Sequence, residues 1–377
     1  MTSPGPDLPG LSPHADLPVL HLRGPVLVGP EQVLGQVWVI GGLISLTAPV
    51  ATGSHDIRSV DGWVLPGLVD AHCHVGLDQH GPVDRDTQVD QASRDRDAGV
   101  LLLRDAGSPA DTRWLDQRDD LPRIIRAGRH LARPRRYIRG IGHEIEPDQL
   151  VDHVVREAAA GDGWVKLVGD WIDRDLGDLA PCWPLDVLRP AIEAAHGVGA
   201  RVTAHCFGED SLPDLIEAGI DCIEHACGLD ERSRASAAAA GVAIVPTLVN
   251  IGTFPELAAS GQQRFPVWAA HLRALHQRRY QTVRSAWEAG VPVYAGTDAG
   301  GSLTHGLIAT EVSELVKAGL SPLAALDAGC WSARAWLGRP GLAEGEPADL
   351  VVYGADPRPD PAVLAHPTLV VLRGRVV

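Results

Sequence analysis

Between residues 66 and 338 the chain repeats one unit eight times, a compact apolar run followed by an alanine-rich amphipathic stretch. The apolar runs read LVDAHCHV, GVLLLRDAG, RIIRAGR, WVKLVGDW, RVTAHCF, DCIEHACG, AIVPTL and VPVYAGTDAGG. Short apolar strands alternating with helical stretches are the mark of a parallel sheet. Eight units over roughly 270 residues favour a closed (β/α)8 TIM barrel over an open doubly wound sheet. Helices are expected at PLDVLRPAIEAAHGVG, DSLPDLIEAG, SRASAAAAG and WAAHLRALHQRRYQTVRSAWEAG.

On either side of this region, residues 18–65 and 339–377 carry short apolar stretches punctuated by Gly and Pro, the texture of hairpin strands. They are expected to form one small β-sandwich domain built from both chain termini. Residues 1–17 read as a disordered tail; they are broken by prolines and lack the basic start and apolar stretch of a secretory signal. No apolar run reaches the ~18 residues that a membrane span needs. The net charge of −15 opposes nucleic-acid phosphate. The six cysteines form no C-x-x-C pair and are expected as reduced, buried thiols. These features describe a cytoplasmic protein with a small-molecule partner, no nucleic acid and no membrane; a homo-oligomer is compatible with them.

The chemistry lies at the strand ends. His72 and His74 are two apart on the first strand and therefore share a face. His205 ends RVTAH, His225 ends DCIEH, and Asp298 ends VYAGTD. The C-terminal rim of a barrel is where catalytic groups gather, and imidazole with carboxylate suits zinc or another first-row divalent ion.

Lys166, inside WVKLV, is one of only two lysines among 33 basic residues. An ammonium buried among apolar neighbours is costly without a partner. A neutral amine can add carbon dioxide to become an anionic carbamate able to bridge two cations, which a guanidinium cannot do. The competing reading has Lys166 reach solvent or pair with Asp170 or Asp173.

These residues resemble the metal-dependent amidohydrolase superfamily, in its imidazolonepropionase-like and Xaa-Pro dipeptidase-like branch. VLPGLVDAHCHV is similar to its first-strand signature, and HGLIATEVSELVKAGLSPLAALDAGCWSARAWLG followed by GLAEGEPADLVVYGADP is similar to its closing segment. The resemblance runs from about residue 35 to the end. It implies that His72, His74 and Asp298 hold a first metal, that His205 and His225 hold a second, and that a carbamate on Lys166 bridges the two. It also implies that His143, in RGIGHE, contacts substrate, although Ile141 stands where the branch has a glycine.

Two divalent ions, zinc foremost, would make a bridging hydroxide available near neutral pH and polarise a carbonyl. Asp298 would take the proton of the attacking water and pass it to the departing nitrogen, with His143 donating to the oxyanion. Other residues carry two readings each. Arg136, in the cluster Arg133, Arg135, Arg136 and Arg139, either clamps a substrate carboxylate or is solvated. His305 either lines the pocket or closes a Gly-rich turn. Asp105 either orients a ligand imidazole or caps a helix. Cys227 is either an extra ligand or an apolar filler.

The expected function is hydrolysis of an amide C–N bond in a dipeptide, N-acyl amino acid or related small substrate. The alternative within enzymes is a mononuclear cyclic-amide hydrolase or deaminase, which needs no strand-four lysine. A non-catalytic barrel used for binding would have no need of the full ligand set.

Overall fold

The computed structural model describes residues 17–49 and 57–377. The tail expected over residues 1–17 lies, apart from residue 17, outside the described residues. The fold is TIM-barrel-like. Leu68–Cys73, Val100–Asp105 and Arg123–Arg126 pair in parallel. Leu131–Ala132, Trp164–Val168, Arg201–Cys206, Cys222–His225 and Ala243–Val245 continue the parallel order. The eighth run forms no regular strand. It is tied to one neighbour by a bridge between Val293 and Ile244, and to the first strand by one between Ala299 and Cys73.

The helices form where apolar residues recur on one face. In Leu185–Gly197 the buried residues are Leu188, Ala191, Ile192 and Ala195, a helical spacing that turns one stripe onto the strands. Glu231–Ala240 is started by Asp230, whose side chain accepts from Ser233 N while Ser233 Oγ accepts from Asp230 N. It ends where Gly241 turns left-handed at φ 68°. Such a box is worth roughly 1 kcal/mol, enough to place a helix end but not to hold the fold. The stability comes from the large apolar cluster between the strands and helices.

Both chain ends meet in one mixed sheet of eight strands. Leu350–Tyr353 lies antiparallel to Trp63–Pro66, with Val351 opposite Leu65. Val19–Leu27 pairs with Val33–Ile40, and a separate apolar cluster around Leu20, Leu22, Val37 and Val352 backs this sheet. Gly67 N donates to Asp349 O, so the sheet delivers the chain directly into the first barrel strand.

Candidate metal centre

The first strand carries His72 and His74 to the barrel mouth. Asp70, one turn of the pleat earlier, accepts from Thr297 N and Thr297 Oγ1 at 3.0 and 2.5 Å and from His72 N at 3.1 Å. That carboxylate staples the eighth run to the first strand and sets Asp298 beside the two histidines. Asp298 Oδ1 lies 3.1 Å from His72 Nε2 and 3.0 Å from His74 Nε2, and the two imidazole nitrogens are 3.2 Å apart.

The outer ring nitrogens explain why the inner ones face each other. His72 Nδ1 donates to Glu224 Oε2 at 2.7 Å, and His74 Nδ1 donates to the Gly107 carbonyl at 2.6 Å. With the protons held there, two Nε2 lone pairs and a carboxylate oxygen converge on one point, which asks for a cation. Tetrahedral ligands ~2.05 Å from a zinc ion lie roughly 3.3 Å apart, so the observed separations fit. Burial pushes the His72 pKa down, but Glu224 and Asp298 outweigh it and the net shift is upward. A proton is therefore the competitor that a metal must displace from His72. Desolvation acts to raise the Asp298 pKa, yet the interactions with His72 and His74 hold it well below the usual carboxylate range.

Across the same cavity, His205 Nδ1 lies 3.0 Å from His225 Nε2, and His225 Nδ1 is hydrogen-bonded to Thr247 Oγ1 at 2.7 Å. Burial drives both histidines toward the neutral form, His225 to a pKa of about 3 and His205 well below its ordinary value. Neutral imidazole is the form that ligates metal. Lys166 is 1% exposed, and burial lowers its pKa against the pull of Glu224 and Asp298. It neither reaches solvent nor pairs with Asp170, which accepts from Gly208 N, or with Asp173, which binds Arg136. All six of these residues line one cavity of about 370 Å³.

His143, Arg136 and His305 do not line that cavity. His143 pairs with Glu157 at 3.3 Å. Arg136 turns its Nη1 to Asp173 and its Nη2 to the carbonyls of Trp171 and Ala180. His305 is buried against Asp95 at 2.7 Å. Among the described residues Asp105 is hydrogen-bonded to no imidazole and caps no helix; it accepts from Val75 N and Gly107 N, fixing the turn whose carbonyl holds His74. Cys227 is packed with Leu179, Phe207 and Phe254.

The profile of the amidohydrolase family matches residues 179–377, more than half of the chain. The chain belongs to the amidohydrolase family. It is thus a hydrolase acting on C–N bonds. Uncharacterized proteins of Mycobacterium tuberculosis and Mycobacterium bovis are each 58% identical to it over 358 residues, covering 94% of this chain and 95% of theirs. Among solved structures, a Xaa-Pro dipeptidase with bound methionine in its active site is similar at 21% identity and a TM-score of 0.79, over 95% of this chain and 99% of that one. An A. niger ochratoxinase is similar at 20% identity and a TM-score of 0.75, over 96% and 95%. At these identities the likeness speaks for the fold. Amidohydrolases are generally metal-dependent, and the cluster of His72, His74 and Asp298 is compatible with that.

The amidohydrolase site also contains residues that the strand-end reading did not reach. Glu224 is fully buried and accepts from Arg104 Nη2 at 2.6 Å as well as from His72 and Thr203. Asn250 Nδ2 donates to Asp298 Oδ2 at 2.6 Å; as the sole asparagine of the chain it offered a compositional hint. Tyr137, not His143, is the member of the loop after the third strand that lines the cavity with a polar group. Its ring stacks on His130, a fully buried histidine behind His74.

Proposed function

We propose that this amidohydrolase cleaves the amide bond of a small substrate such as a dipeptide or N-acyl amino acid, using two divalent metal ions, zinc foremost. The observation that carries the proposal is the convergence of six donor side chains on one cavity, with the outer nitrogens of His72, His74 and His225 already tied. His72, His74 and Asp298 would hold one ion, His205 and His225 the other, and a carbamate on Lys166 would join them. When bound, the ions would supply an activated water near neutral pH and polarise the scissile carbonyl.

The chain's own residues do the rest. Asp298, kept ionised by its neighbours, takes the proton of the attacking water and delivers it to the departing nitrogen. Asn250 holds the carboxylate by its Oδ2, leaving Oδ1 against the histidines. Glu224 keeps the His72 proton on Nδ1. The substrate class takes its direction from the structural similarity to a Xaa-Pro dipeptidase and an ochratoxinase. The same reading takes the parallel strands as a closed barrel, in line with the two bridges of the eighth run, and takes the single eight-stranded sheet of both chain ends, with its own apolar cluster, as the expected β-sandwich domain. It keeps the enzyme in the cytoplasm and away from nucleic acid, in line with six unpaired buried cysteines and the charge of −15.

The test is a hydrolysis screen of dipeptides, N-acyl amino acids and lactams with protein reconstituted in zinc and bicarbonate, alongside elemental analysis. Turnover of linear amides with close to two ions per chain is expected. One ion per chain, unchanged in Lys166→Ala, would move the assignment to the mononuclear lactam hydrolase or deaminase.

A further inference from the structure

A second cavity, of about 290 Å³, adjoins the metal cavity. Trp171, Phe207 and Leu257 line both spaces and form the shared wall. Beyond that wall the chamber is bounded by Ile172, Phe265 and Trp268. Four aromatic rings thus enclose a space next to the residues assigned to hydrolysis. Phe207 packs edge-on to His205 at 4.3 Å and to Phe254 at 4.8 Å, so this wall is anchored to a candidate ligand on one side and to an apolar cluster on the other.

The charges are arranged to match. Apart from the candidate ligands, the formally charged side chains lining the two spaces are Asp78 and Arg264. Arg264 is exposed, with its guanidinium over the Phe265 ring at 5.0 Å. The chamber interior therefore offers aromatic faces and aliphatic surface, without a buried charge to pair with a charged group. An apolar cavity of ~150 Å³ already takes up a benzene ring, so this one has room for a substituted or fused ring.

We infer that the substrate carries an uncharged aromatic arm that lies in this chamber while its amide bond lies among the metal-ligating residues. This deepens the proposed function and rests on it for the identity of the scissile bond. Such an arm supplies binding energy away from the reacting atoms and fixes the amide in the metal cavity.

The experiment uses full-length, metal-loaded protein and two substrate series, one varying the acyl side from acetyl to phenylacetyl to naphthylacetyl, the other varying the amine from methylamine to benzylamine to naphthylmethylamine. In one series kcat/KM should rise about 30-fold from the smallest to the aryl members, the size expected for burying one ring. Ser260→Trp, at an exposed position on the chamber wall, should fill the space and collapse that ratio toward one; Trp268→Leu should lower it by removing a ring face. Calorimetric binding of naphthaleneacetamide, measured in parallel, should weaken at least tenfold in Ser260→Trp. If linear amides are hydrolysed with no aryl preference and neither variant changes the ratio, the inference is overturned and the proposed function stands. If no amide is hydrolysed but naphthaleneacetamide binds and is lost in Ser260→Trp, the hydrolytic reading is overturned and the aryl site stands.

Discussion

The two halves of the metal cavity are built to different degrees of completion. On one side, His72 and His74 have their outer nitrogens tied to Glu224 and Gly107, and Asp298 is held by Asn250. On the other, His225 is tied by Thr247, but His205 Nε2 has no hydrogen-bond partner among the described residues and Lys166 is a buried amine with a depressed pKa. The first side is organised by ionised groups already in place; the second becomes anionic only if Lys166 is carboxylated. The first ion should therefore enter a preformed nest, whereas the second should depend on the lysine's chemistry. A chelator titration should therefore strip the ions in two steps, and loss of both at one chelator concentration would break the comparison.

The largest effect should come from Asp298→Asn, which preserves shape but removes the proton acceptor; kcat should fall by about 10³-fold while the thermal midpoint stays near wild type. Near-normal kcat would put the base elsewhere. Next, Lys166→Arg keeps the charge but cannot form a carbamate, so elemental analysis should show a drop from two ions toward one and turnover should fall by about 10²-fold. A short-chain carboxylic acid should partly restore activity to Lys166→Gly and not to Lys166→Arg. Equal metal content in Lys166→Arg and wild type would remove the asymmetry between the halves.

Glu224→Gln loosens the organised side. It should weaken binding of the first ion by roughly 10- to 100-fold. It should also cost about 3 kcal/mol in denaturant unfolding, because Arg104 is left buried without its anion. Thr247→Val tests the other side and should be milder, a loss of about threefold to tenfold in affinity for the second ion by competitive chelation, the worth of one neutral hydrogen bond. Should Thr247→Val exceed Glu224→Gln, the ranking of the halves would be inverted.

Much of the fold was legible because its signal is local. The apolar runs LVDAHCHV and RVTAHCF became Leu68–Cys73 and Arg201–Cys206, and PLDVLRPAIEAAHGVG became Leu185–Gly197. The eighth run was legible as a barrel segment but not as an irregular one, since VYAGTDAGG is held by isolated bridges, by separate backbone hydrogen bonds such as Asp298 N to His72 O, and by Asp70 rather than by a regular ladder. His143, Arg136 and His305 show the limit from the other direction. Each has the chemistry for a substrate contact, but whether a loop side chain faces a cavity or a nearby carboxylate is decided by neighbours that the local sequence does not name.

Which side chains could act as ligands is legible in the sequence, because their position near the end of an apolar strand follows from periodicity within a few residues. How those ligands are aimed follows from contacts between distant parts of the chain. Glu224 and His225 are consecutive, and a period of two would send them to opposite faces; yet Glu224 binds His72 from below while His225 lines the cavity, because the backbone turns left-handed at His225 with φ 67°. Asp298 makes the same kind of turn at φ 59°. Non-glycine residues adopt that conformation only when their surroundings over-determine it, and here those surroundings come from strands as distant in sequence as Asp70 is from Thr297.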